Sequence, residues 1–127
     1  MSATILDASA LLAFLMREPG AEKISMILDG AIMSSVNLAE VVAKLSTHGM
    51  PSQDIETLFE NLELQIEEFD GKRAMATGLL MTRTVKAGLS LGDRACIALA
   101  EEMGHPAITA DKAWLKIGSP AKIQYLR

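Results

Sequence analysis

Asp7, Glu40, Asp93 and Asp111 each sit where an apolar, strand-like run gives way to a helix-like run, or one turn inside that helix. The stretches are Thr4-Ile5-Leu6-Asp7, Ile32-Met33-Ser34-Ser35 leading to Glu40, Ser90-Leu91-Gly92-Asp93, and Ala107-Ile108-Thr109-Ala110-Asp111. In a parallel α/β sheet the strand-to-helix junctions emerge at one edge, so acids far apart in sequence can meet there. Carboxylates that meet repel one another unless a cation lies between them, and Mg²⁺ or Mn²⁺ takes oxygen ligands of this kind. An acidic metal site is therefore the leading expectation for function. Two hydroxyls fit it: Ser9 follows Asp7 by two positions and Thr109 precedes Asp111 by two. Either can hold a metal-bound water or fix a carboxylate rotamer, although local turn hydrogen bonding accounts for both as well.

Each acid also has an ordinary structural reading. Asp7 and Asp111 can cap the helices that follow them. Asn37/Glu40 and Ser90/Asp93 both have capping-box spacing. Glu40 lies opposite the Leu38/Val41/Val42/Leu45 stripe, which makes it an exposed residue that can pair with Lys44. What these readings leave unexplained is four such junctions in one small chain. Other reactive residues have simpler roles. His48 and His105 border Gly49 and Gly104, where a helix dipole accounts for them, and Cys96 falls in an apolar helical stripe.

Alternating strands and helices must position the acids. Ala3–Leu6, Ala31–Ser34, Leu64–Phe69 and Ala107–Thr109 read as short strands, with 121–125 as an edge strand. Helical character covers Ser9–Arg17, Ala21–Leu28, the segment carrying Leu38, Val41, Val42 and Leu45, and a run from Pro51 to about Leu62. A long helix is expected from Gly71 to Lys86, with Gly88 just past its end. Another follows Ser90, carrying Cys96, Leu99, Ala100 and Met103, and a short one spans Lys112 to Lys116. This order implies a three-layer α/β/α domain over residues 1–127, with a mostly parallel sheet of four to five strands.

At 127 residues with 50% hydrophobic and 22% charged side chains, the chain has enough apolar residues for one packed core. Aromatics make up only 4%, so the core draws on Leu, Ile, Val, Ala and 8 Met, and a stacking platform for single-stranded nucleic acid would be thin. One cysteine excludes an internal disulfide and a cysteine metal cluster. No signal peptide or bilayer-spanning run is visible, so a soluble cytoplasmic protein without membrane contact is expected. The net charge of −4 argues against non-specific coating of nucleic acid, but not against a nuclease whose metal supplies positive charge.

The chain resembles PIN-domain ribonucleases, specifically the VapC-type toxins of prokaryotic toxin–antitoxin pairs. The matching stretches are Ile5-Leu6-Asp7-Ala8-Ser9-Ala10-Leu11-Leu12, Asn37-Leu38-Ala39-Glu40-Val41, Leu91 to Ala100 with Gly92-Asp93-Arg94 inside it, and Thr109-Ala110-Asp111-Lys112-Ala113-Trp114. They come in the family's order and span essentially the whole chain. The resemblance implies that Asp7, Glu40 and Asp93 hold Mg²⁺ or Mn²⁺, with Asp111 completing the pocket, Ser9 and Thr109 supporting it and Asn37 lining it. It implies metal-dependent hydrolysis of RNA that leaves 5′-phosphate and 3′-hydroxyl ends, a homodimer, and a cognate antitoxin. The antitoxin's tail would cross an apolar groove for which Leu11, Leu12, Phe14, Leu15 and the 51–62 helix are candidates, although core burial accounts for most of them. Arg94, Lys112 and Lys116 are candidates to guide RNA phosphates; solvated helix faces account for them equally.

Competing readings remain. A haloacid-dehalogenase-type phosphatase needs a second Asp two positions after the first, where this chain has Ser9. A receiver-like phosphoacceptor domain needs an acidic pair near the first strand, which offers only Asp7, although Asp70 closes the third strand. A catalytically silent PIN scaffold serving as an interaction module would not need the four acids intact.

Overall fold

A computed structural model describes residues 3–127. Five short strands form its centre: β1 (Ile5–Leu6), β2 (Ile32–Ser34), β3 (Gln65–Glu67), β4 (Ala107–Thr109) and β5 (Ile123–Tyr125). They lie in the order β3-β2-β1-β4-β5 with every pairing parallel, which settles the expected sheet at five strands. Helices α1 (Ala8–Leu15), α2 (Ala21–Ile27), α3 (Ser35–Thr47), α4 (Ser52–Asn61), α5 (Gly71–Leu79), α6 (Met81–Thr84) and α7 (Leu91–Met103) connect them.

Period-two alternation along the strands builds the two cores. Ile5, Ile32 and Ala107 are in register and face Cys96, Ile97, Leu99 and Trp114. Their neighbours Leu6, Met33 and Ile108 face the other way, onto Leu11, Ile24, Val41, Leu45 and Ile55. The central strands are buried on both faces, as a helix-covered parallel sheet requires. Each fully buried Leu or Ile contributes roughly 1.5–3 kcal/mol of transfer free energy.

Strand order also fixes where a site can form. From β1 the chain moves outward through β2 to β3, then crosses back to β4 on the other side of β1. Such a reversal leaves a crevice beyond the carboxyl ends of β1 and β4. Asp7 immediately follows β1, and Ala110-Asp111 follow β4.

The expected long helix over 71–86 is instead two helices and a 3₁₀ turn, Val85–Ala87. Around Leu80 the backbone makes i→i−3 bonds, Leu80 N–H to Thr77 C=O at 3.2 Å and Arg83 N–H to Leu80 C=O at 3.0 Å. The Thr84 hydroxyl donates back to the Leu80 carbonyl at 2.9 Å, a bond that bends helices. Leu80 is thereby drawn into the core, and Gly88 ends the turn in the left-handed region at φ 69°, as its position past the helix end led one to expect. The short helix expected over Lys112–Lys116 is present and has 3₁₀ geometry.

Candidate metal centre

All four acids line one cleft of about 280 Å³, together with Ala8, Ser9, Leu12 and Lys44. They arrive on four elements: the β1–α1 junction, the second turn of α3, the first turn of α7, and the second residue after β4, which caps the Lys112–Lys116 turn.

Asp7 is the buried member, only 3% exposed. It stands at the N-cap position of α1 but makes no side-chain cap bond, so the capping explanation does not hold for it. Its Oδ2 accepts instead from the Ser9 hydroxyl at 2.6 Å and from the Thr109 hydroxyl at 2.9 Å. Ser9 Oγ in turn accepts the Ala110 N–H and Thr109 Oγ1 accepts the Asp111 N–H, at 2.9 and 3.0 Å. Both hydroxyl protons are thus directed at one carboxylate oxygen, and the post-β4 backbone is tied to the same pair. Burial pushes the Asp7 carboxyl up to about 6 and Asp93 adds to this, while the Ser9 and Thr109 bonds pull it down.

Glu40 is held by Asn37, one turn earlier on α3. Asn37 is fully buried; its Nδ2 donates to Glu40 Oε1 at 2.8 Å and to the Gly92 carbonyl of α7 at 3.0 Å. Asn37 thus braces Glu40 from below rather than lining the cleft, and Ser34, not Asn37, is the N-cap of α3. Gly92 completes this contact, because a Cβ there would overlap the Glu40 carboxylate. Sequence reasoning placed Gly92 inside a motif without giving it a task; a helical glycine beside an acid was the available signal. Lys44, one turn after Glu40, was read only as an ion-pair partner of Glu40; no such pair forms among the described residues, and Lys44 faces the acid cleft.

Asp93 and Asp111 keep their capping roles and face the cleft at once. Asp93 Oδ2 accepts the Ser90 N–H at 2.9 Å while Ser90 Oγ accepts the Asp93 N–H at 3.2 Å, a reciprocal box. Asp111 Oδ1 accepts the Ala113 N–H at 2.9 Å. Beneath the cleft, the thiol of buried Cys96 is pushed well above its ordinary value, by burial first and then by Asp7, Asp93 and Glu40. Three carboxylates therefore act on one point of the core below them.

The donor chemistry fits a hard divalent cation: four carboxylates, with Asp7 destabilised by burial and by a neighbouring negative charge, a tension that a cation would relieve. As placed, no three of them form an ion-sized cage among the described residues. Each is anchored through one oxygen to its own scaffold.

The basic candidates separate. Arg94 is buried at 8% exposure and its Nη1 donates to the Thr77 carbonyl of α5 at 3.3 Å, so it belongs to the α5–α7 interface and not to the cleft. Lys112 and Lys116 are exposed and do not line the cleft. Asp70 caps α5 through the Arg73 N–H and is likewise not part of the lining, which removes the support for a receiver-like arrangement. Of the groove candidates, Leu11 is core, while Leu12, Phe14 and Leu15 are partly buried; Leu15, Met16, Leu45, His48, Gly49 and Met50 surround an apolar hollow of about 560 Å³.

A family model described as PIN domain matches residues 4–119. No curated protein matches the chain. Among solved structures it is similar to a DNA-bound VapBC from Salmonella typhimurium, at 16% identity and TM-score 0.75 over 100% of both chains. It is similar to VapBC2 from Rickettsia felis bound to a DNA fragment from its promoter, at 18% identity and TM-score 0.74, covering 98% of this chain and 99% of that one. A third is VapBC-5 from Mycobacterium tuberculosis, a member of the VapBC family of toxin–antitoxin systems, at 22% identity and TM-score 0.62 over 100% and 99%. At these identities the likeness is one of fold.

Proposed function

The chain belongs to the PIN domain family, and we propose that it is a divalent-metal-dependent endoribonuclease, the toxin of a toxin–antitoxin pair. The observation that carries this reading is the convergence of Asp7, Glu40, Asp93 and Asp111 on one cleft at the sheet's topological switch point. Toxin–antitoxin complexes of the same fold support the biological half of it.

Asp7, Glu40 and Asp93 would hold the ion and Asp111 would complete the pocket, directly or through water. When bound, Mg²⁺ or Mn²⁺ polarises the scissile phosphate and makes a water nucleophilic near neutral pH. Ser9 and Thr109 keep the Asp7 carboxylate in one rotamer, and Asn37 does the same for Glu40. Held this way, the carboxylates need little reorganisation as charge develops on the phosphate. Lys44 is a cation in the cleft lining and meets the incoming phosphate. Hydrolysis consumes one water and leaves 5′-phosphate and 3′-hydroxyl ends. The chain acts as a homodimer, and its antitoxin segment lies over the apolar hollow around Leu15 and Met50.

The test is RNA cleavage by the purified protein in Mn²⁺ or Mg²⁺, in a chelator, and as Asp7→Asn. Cleavage should require the ion and fall at least a hundredfold in Asp7→Asn, in line with losing an electrostatic catalytic group. Equal cleavage by both proteins, or none by either, would remove the nuclease reading.

A further inference from the structure

A second charged hollow, of about 210 Å³, lies between the Val85–Ala87 and Lys112–Lys116 turns, lined by Thr82, Arg83, Lys86, Ala87, Lys116 and Ile117. Its three cations are not equivalent. Arg83 is committed: Nη2 donates to both Glu101 oxygens at 2.8 and 3.0 Å, and Nη1 donates to the Gly118 carbonyl at 2.9 Å. It ties α6 to α7 and to the loop after Lys116, and so stiffens the wall. Lys86 and Lys116 have no carboxylate partner among the described residues. Lys86 and Lys116, both exposed, thus leave two positive charges without a carboxylate partner on the lining of one hollow, where an anion would be attracted.

From these positions we infer that the hollow is a phosphate-binding subsite for the RNA strand whose scissile phosphate lies in the acid cleft, an inference that rests on the nuclease reading. One element joins the two places: Asp111 caps the Lys112–Lys116 turn in the cleft, and Lys116 ends it at the hollow. At a 3₁₀ rise of about 2 Å per residue they stand on the order of 10 Å apart. A stacked strand carries one phosphate per ~3.4 Å of axis, so the hollow receives a phosphate about three positions from the cut. Lys112 is exposed on the same turn. The acid cleft repels a polyanion; Lys86 and Lys116 hold it close enough for one phosphate to enter.

The test uses the full chain with all four acids intact for cleavage, and the Asp7→Asn chain for binding. With a long poly(U) strand, log K should fall less steeply with log[salt] in Lys86→Ala/Lys116→Ala, by about 1.4 for two phosphate contacts at ~0.7 each on a single strand. Lys86→Arg/Lys116→Arg should restore the slope. Hydrolysis of a dinucleotide, too short to span both places, should be unchanged by the alanine pair. An unchanged slope, with the acid-intact chain cutting poly(U), overturns the subsite alone. Failure of the unsubstituted chain to cut in Mn²⁺ overturns the nuclease reading and the subsite with it.

Discussion

Burial, reinforced by the Asp93 charge, raises the Asp7 carboxyl from 3.8 to about 6, against the pull of Ser9 and Thr109. The folded chain therefore holds this proton more tightly than the unfolded chain does. Below about pH 4 both states are protonated and nothing is lost. Between about 4 and 6 the unfolded chain ionises first, and above 6 the folded state carries a penalty on the order of 3 kcal/mol. Asp7→Asn keeps an oxygen for the two hydroxyls and has no charge to desolvate. In chelator it should melt several degrees above the unsubstituted chain near neutral pH and lose that advantage below about pH 4. Equal melting temperatures at neutral pH would count against a buried, ionised Asp7. Asp7, Ser9 and Thr109 were legible in the sequence because each lies at a strand's carboxyl end or within three residues of it, where the parallel sheet fixes the backbone's position. Arg94 was not, since which way a helical side chain turns depends on the helix packed against it, here α5.

Helix α7 carries a conflict between its own stability and the cleft. Gly92 sits in its first turn, where alanine would favour the helix by up to ~1 kcal/mol. A Cβ there overlaps the end of Glu40, which is flexible enough to swing aside. Gly92→Ala should thus fold with an unchanged or slightly raised melting temperature while losing most RNA cleavage. Retained full cleavage would show that Glu40 need not occupy its observed position. The extent of α7 was readable from its Ser90 cap, apolar spacing and Gly104 stop, all local signals. The break near Leu80 was not, because it follows from burial of Leu80 in a core made by residues distant in sequence. Asn37 shows both sides: its position on α3 was readable, while its bond to the Gly92 carbonyl needed the α3–α7 contact.

At the scale of the molecule, the alternation of strands and helices predicted the layered sheet, and the reversal at β1 explains why one edge collects acids from positions 7, 40, 93 and 111. On the metal reading proposed above, an ion shared by four distant points would stabilise the whole fold. Mn²⁺ at a hundred times its Kd should add about 2.7 kcal/mol and raise Tm by several degrees, a shift lost on chelation and in Asp7→Asn. No rise in the unsubstituted chain would remove the shared ion. The pairing of β1 with β4 has a further consequence in time. During synthesis β1, β2 and β3 emerge early and can associate, yet Asp7 then lacks the Thr109 hydroxyl, and the cleft lacks Asp93 and Asp111. The four-acid cleft is complete only once β4 and Asp111 have joined the sheet, so whatever chemistry it performs is the final property the chain acquires.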